Sequence, residues 1–247
     1  MSGDLVSLRM LLVGATPIFE ERWRFGVAQA SLPIEFETAA ADAAKIALSR
    51  GDVDFCVVAG GLNDAEKAAV IEAARAKRQT TLVFASAPPG SAPPDKTDGV
   101  LPVPANGDDA RKLVEICIRA KMPTQVLVAA DSETLRGVVR KILTASRFDL
   151  NIHEASDSAA ALDRMRNGKI GLVFLDYNMP GINGADILQG IKQETPNVEV
   201  VMMSSVLARG AAGRPHLWNA LAFLKMPFYP ADVDAVLERY FGLRGPR

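Results

Sequence analysis

Two carboxylates, two hydroxyls and an amine stand at the ends of short apolar runs in the second half of the chain. They are Asp131 after VLVAA, Asp176 after GLVFL, Ser204 and Ser205 after VVMM, and Lys225 within FLKMPF. A carboxylate can attack phosphorus as a nucleophile, and a hard divalent cation on oxygen ligands can neutralise the charge that builds on phosphoryl oxygens. Two carboxylates held close together repel, and a bound cation relieves that repulsion. Plainer readings stand beside these. Asp131 precedes SETLRGVVRKIL and could serve only as a helix cap, and serines at strand ends are common in turns. Asp176 is harder to reduce to packing, because DYNMPG sets it between a strand-like run and a helix-like stretch.

Such residues need a scaffold that gathers strand ends on one rim. Short apolar runs alternate with helix-period stretches along the chain, which predicts βα units and a parallel sheet covered on both faces, an α/β doubly wound fold. In such sheets reactive groups collect outside the carboxyl ends of the central strands. In the second half, QVLVAA (from Gln125), LNIHEA (from Leu150), IGLVFL (from Ile170), VEVVMM (from Val198) and LAFLK (from Leu221) read as strands. Helices are expected from near Ser132, Asp157, Asn183 and Arg214. A last one runs from Pro230 to Phe241, with Val233, Val236, Leu237 and Tyr240 on one face.

The first half repeats the plan: RMLLVG pairs with QVLVAA, VDFCVV with IGLVFL, and VLPVP with FLKMP. Two five-stranded domains are expected, over 1–121 and 124–247. After TLVFAS the first copy reads APPGSAPPDKTDG, whose prolines and glycines cannot sustain a helix, so this copy should lack its fourth helix. The apolar surface left open would need cover from the second domain or a second chain. The junction from Ala120 to Thr124 is too short and too poor in Gly and Ser for a flexible tether, so the domains should pack together.

Composition narrows the function. A net charge of −1, with acids and bases interspersed, gives no field that would select nucleic acid. Cys56 and Cys117 sit apart in apolar runs, as buried thiols of a reducing cytosol would. No apolar segment is long enough for a membrane span, so a soluble, cytoplasmic protein without a membrane partner is expected.

LVFLDYNMPGINGADIL resembles the phosphorylation-site segment of the two-component response-regulator receiver family, and the resemblance covers about Thr124 to Leu243. It implies two flavodoxin-like (CheY-like) domains in tandem. Carried over residue by residue, it makes Asp176 the phosphoacceptor. Asp131, Asp176 and the backbone carbonyl of Asn178 become Mg²⁺ ligands. Ser204 becomes the hydroxyl that meets the phosphoryl oxygens, and Phe223 the aromatic that reorients with it. The implied partner is a histidine kinase or histidine phosphotransfer protein. The helix after Asp131 would face that partner, and a homodimer is expected through helices around Trp218 and Tyr240. The protein would not be an enzyme beyond self-catalysed phosphotransfer and dephosphorylation. With the chain ending at Arg247 and no output domain expected, signalling would pass through protein contacts. The alternative is a phosphorylation-independent interaction or dimerisation scaffold.

The sequence departs from the family pattern at named places. Ala130 stands where a second acid is usual, which should weaken Mg²⁺ binding, and Met226 takes the place of the lysine before the proline. Lys225, one position earlier, should point away from the site because successive strand residues alternate faces. The first copy has Gly14-Ala15 for the acidic pair, Ala59 for the acceptor and Val103 for the lysine, with Pro104 kept. It reads as a pseudo-receiver. AGGL and ARGAAG lack P-loop spacing, and His153 and His216 lack the surroundings of a phosphodonor histidine or a metal cluster, which favours structural or surface roles. DYN also suggests the Asp-x-Asp of haloacid-dehalogenase-like phosphohydrolases, but Asn178 replaces their second acid.

Overall fold

A computed structural model describes residues 7–76, 80–88, 91, 94–179, 184–205 and 219–243. The chain divides into two compact units, Met1–Lys121 together with Phe241–Arg247, and Met122–Tyr240. Each has a five-stranded parallel sheet with flanking helices, the flavodoxin-like, CheY-like plan.

The first unit runs β1 (Leu8–Val13), α1 (Pro17–Ala28), β2 (Ile34–Ala39), α2 (Ala41–Arg50), β3 (Phe55–Val58), α3 (Asp64–Arg75), β4 (Leu82–Ser86), β5 (Gly99–Leu101) and α4 (Gly107–Lys121), in sheet order β2-β1-β3-β4-β5. β3 and β4 are buried at every position, which is why FCVV and LVFAS read as continuous apolar runs instead of alternating ones. β2, at an edge, is nowhere fully buried, and Glu35 and Glu37 are exposed on it, blunting an edge that could pair with another chain.

As expected, no helix lies between β4 and β5 among the described residues. A buried ion pair organises the crossover instead. Asp98 is 4% exposed at its side chain; its Oδ2 accepts from the Val83 amide and from Arg75 Nη2, both at 2.6 Å, and its own amide donates to the Val83 carbonyl at 2.7 Å. Arg75, at the end of α3, also donates to the carbonyls of Lys96 and Thr81. One arginine thus satisfies the carbonyls of Thr81 before β4 and Lys96 before β5 together with the buried Asp98 carboxylate.

The second unit runs β6 (Thr124–Ala129), α5 (Glu133–Thr144), β7 (Leu150–Ala155), α6 (Ser158–Asn167), β8 (Leu172–Asp176), α7 (Gly184–Glu194), β9 (Glu199–Ser204), β10 (Ala222–Lys225) and α8 (Pro230–Phe241), in order β10-β9-β8-β6-β7. Read from the β7 edge, this is the order of the first unit. The helix expected near Arg214 and the residues His216 and Trp218 lie outside the described residues. Both units start their first helix alike. Thr16 Oγ1 accepts from the Phe19 amide, and Ser132 Oγ from the Leu135 amide, each hydroxyl satisfying an amide that the helix leaves free.

Two sequence expectations need adjusting. On α8, Val233, Val236 and Leu237 are buried, but Phe241 is the fully buried aromatic and Tyr240 is half-buried, its hydroxyl against Gly171. The expected boundary carries the second domain to Arg247, whereas the chain from Phe241 onward groups with the first unit. Leu243 is the reason: it is fully buried against Gly99, and its carbonyl accepts from the Val100 amide at 3.3 Å. Cys56 and Cys117 are free and buried; burial pushes the Cys56 thiol up to about 12 and that of Cys117 up as well, so both behave as small apolar side chains. Among the described residues no helix is long and apolar enough to cross a membrane.

Candidate functional site

In the second unit the strand order reverses between β6 and β8, where a crevice opens outside the strand ends. Asp176 is the last residue of β8, and Asp131 follows β6 with only Ala130 between, so the fold brings the two carboxylates to that crevice. Asp176 is 5% exposed, and its Oδ1 accepts from the Asn178 amide at 2.9 Å. Its pKa lies above the usual carboxylate range: burial is the main cause, the negative charge of Asp131 adds to it, and the Asn178 amide opposes it. The Tyr177 amide donates to the Met203 carbonyl at 2.9 Å, tying the loop after Asp176 to β9.

Asp131 is exposed, with its Oδ1 accepting from the Ser132 amide at 2.8 Å. The cap proper of α5 is Ser132, so Asp131 precedes the cap and keeps a carboxylate on the rim. Ser204 ends β9, 7% exposed, and its carbonyl accepts from the Met226 amide at 2.8 Å. Ser205 and Asn178 are exposed. Phe223 is half-buried against the core that includes Leu175, Val200 and Met202. On β10, Leu224 is buried and Lys225 exposed, the alternation expected of a strand; Met226 follows and is joined to Pro227 by a cis peptide bond. Pro180 to Asn183 lie outside the described residues.

The matching rim of the first unit carries no carboxylate at the corresponding positions Gly14, Ala15 and Ala59. Gly14, at φ +70°, follows β1, and a Cβ placed on it would overlap the Leu62 side chain, which packs on the core beneath. Ala59 is buried, Val103 is exposed, and Pro104 is buried with its carbonyl accepting from Arg22 Nη1 at 2.8 Å. Ser86, at the end of β4 as Ser204 is at the end of β9, is 2% exposed, and its hydroxyl has no hydrogen-bond partner among the described residues.

Sequence reasoning passed over Leu62, Ser86 and Arg136. Leu62 and Ser86 could have been found by extending the alignment of the two copies a few residues past Ala59 and to the end of TLVFAS. Arg136 gave no signal, since an arginine in a helix is ordinary. His153 is structural, its Nε2 2.8 Å from Gln125 Oε1. Among the described residues no cluster of three or more His, Cys, Asp or Glu is present. The donors that remain, two carboxylates and a backbone carbonyl, are hard oxygens that fit a Mg²⁺ ion keeping several waters, and the like-charge pressure on Asp176 is what such a cation would relieve.

Residues 126–238 match the response regulator receiver domain, and this part of the chain belongs to that family. Chemotaxis protein CheY-3 of Vibrio cholerae serotype O1 is 28% identical over 119 residues, covering 47% of this chain and 91% of that protein. The protein-glutamate methylesterase/protein-glutamine glutaminase of Rhizobium etli is 35% identical over 89 residues, covering 36% of this chain but 25% of that protein. A solved structure described as a probable two-component system response regulator/GGDEF domain protein aligns with 96% of this chain and 98% of its own, at TM-score 0.57 and 20% identity. That likeness of fold extends over both units.

Proposed function

We propose that the second unit accepts a phosphoryl group on Asp176 from the phosphohistidine of a histidine kinase or phosphotransfer protein. The first unit, on this reading, is a companion that accepts none. The observation that carries it is the buried carboxylate of Asp176 under the charge of Asp131 in the switch-point crevice. The Asn178 amide holds Oδ1 and leaves the other oxygen to attack phosphorus. The O–P bond forms as the N–P bond of the donor breaks, and the imidazole leaves with its electron pair. Mg²⁺ held by Asp131, Asp176 and the Asn178 carbonyl would neutralise charge on the phosphoryl oxygens, and Ser204 would donate to one of them. Output then passes through protein contacts, in a cytoplasmic setting, with α5 as the face toward the donor.

A second reading, a scaffold that signals without phosphorylation, draws on Ala130, Met226 and the exposure of Lys225, which together remove an acid and a cation from the rim. Incubation with Mg²⁺ and acetyl phosphate, read by intact mass, separates the two. The expected result is a single phosphoryl adduct, formed slowly, that disappears in Asp176→Ala and in EDTA. An unlabelled wild-type protein would establish the scaffold.

A further inference from the structure

Exposed Asp131 is not fixed by packing, yet the turn that carries it is held from beneath. Arg136 Nη1 donates to the carbonyls of Ala130 at 2.7 Å and Asp131 at 3.0 Å. Its Nε lies 3.3 Å from Glu154 Oε2 on β7, and the arginine side chain is 14% exposed. β7 also receives the amide of Ala130, which donates to the Ala155 carbonyl at 3.1 Å. A rigid planar fork thus spans the β6–α5 turn and β7, a geometry lysine reproduces only in part.

We infer that Arg136 is a positioning residue for the metal side of the site, holding the Ala130–Asp131 turn so that the Asp131 carboxylate stays beside Asp176. The inference rests on reading the second unit as a Mg²⁺-dependent phosphoacceptor. Charge alone predicts the opposite sign: a cation near the site repels Mg²⁺, so removing it would tighten binding. Holding the turn predicts that removing it loosens binding. With Ala130 in place of an acid, Asp131 and Asp176 are the carboxylates left to the metal, so displacement of Asp131 is costly.

Arg136→Met in the full chain is the test. It keeps the aliphatic stem and helix propensity, and Glu154 retains Arg140 at 3.2 Å, so no carboxylate is stranded. Mg²⁺ titrated by calorimetry should bind about tenfold more weakly, as when partners that orient metal ligands are removed. Arg136→Lys should recover part of the loss. In the metal-free protein, hydrogen exchange at the amides of Asp131 and Ser132 should quicken in Arg136→Met. Unchanged or tighter Mg²⁺ binding overturns the inference; if Arg136→Met fails to fold, Arg136→Lys decides by the same signs. Should the wild type bind no Mg²⁺, the phosphoacceptor reading falls, and unchanged exchange at Asp131 and Ser132 would independently overturn the positioning role.

Discussion

The two units share strand order and a hydroxyl cap on the first helix, yet their rims have diverged in opposite directions. The second keeps a buried acid under the charge of another acid, a costly arrangement for a group with no task. The first has Ala15 and Ala59 where the second has Asp131 and Asp176, and Leu62 packs against Gly14, the counterpart of Ala130. Its first and last helices pack closely: a Cβ on Gly26 would lie 2.7 Å from the Ala110 backbone, so α1 and α4 meet almost backbone to backbone, and both Ser31 groups donate to the Glu115 carboxylate at 2.7 Å. Among the described side-chain contacts, α8 of the second unit is tied by Arg147 to Glu238 at 2.8 Å. One fold thus supports both a site under electrostatic tension and a relaxed core that has filled the same space.

Attempts to erase this difference should fail first in the first unit. Installing the full acidic pattern with Gly14→Asp, Ala15→Asp and Ala59→Asp should cost about 3 kcal/mol or more, from the side chain at positive φ at position 14 and its overlap with Leu62, read as a fall in the denaturant midpoint. Labelling by acetyl phosphate at position 59 of that triple variant would break the comparison. In the second unit, Ala130→Asp should tighten Mg²⁺ about tenfold, or ~1.4 kcal/mol, and its Tm should be lower than wild type in EDTA and recover with Mg²⁺, because the added acid is buried.

The raised pKa of Asp176 has a definite sign. The folded protein binds this proton more tightly than the unfolded chain does, so stability falls as pH rises from the ordinary carboxylate range through the raised value. Asp176→Asn should therefore raise Tm at pH 7, with an advantage that fades on acidification to below the ordinary carboxylate range; melting curves at several pH values check it. The smallest effect belongs to Ser86→Ala. Deleting a buried hydroxyl without a partner should be neutral or stabilising by up to about 1 kcal/mol, while Ser204→Ala should lower labelling of Asp176.

Much of this was legible in the sequence, because buried parallel strands write themselves as unbroken apolar runs, and each expected run holds a strand, though VLPVP gives only Val100 and Leu101 to β5. Asp176 was legible because its neighbours are local. The missing helix was legible because proline and glycine act locally too. The clamp between Arg75 and Asp98 was not, since the residues are far apart in sequence and each looks like an ordinary surface charge. Arg136 was hidden for another reason: two of its partners are backbone carbonyls, which have no letter in the sequence. The return of the chain end to the first unit was invisible because Leu243 meets Gly99 from the opposite end of the chain.

The Arg75 and Asp98 clamp fixes the entry to β5 from outside the strand, through one guanidinium and one carboxylate. Where a helix must match the sheet beneath it turn by turn, a pinned crossover needs only its ends held, and doubling such a stretch costs roughly 0.6 kcal/mol in closure entropy. Asp98→Ala should therefore loosen the start of β5 from β4 and leave the Arg75 guanidinium with carbonyl partners alone.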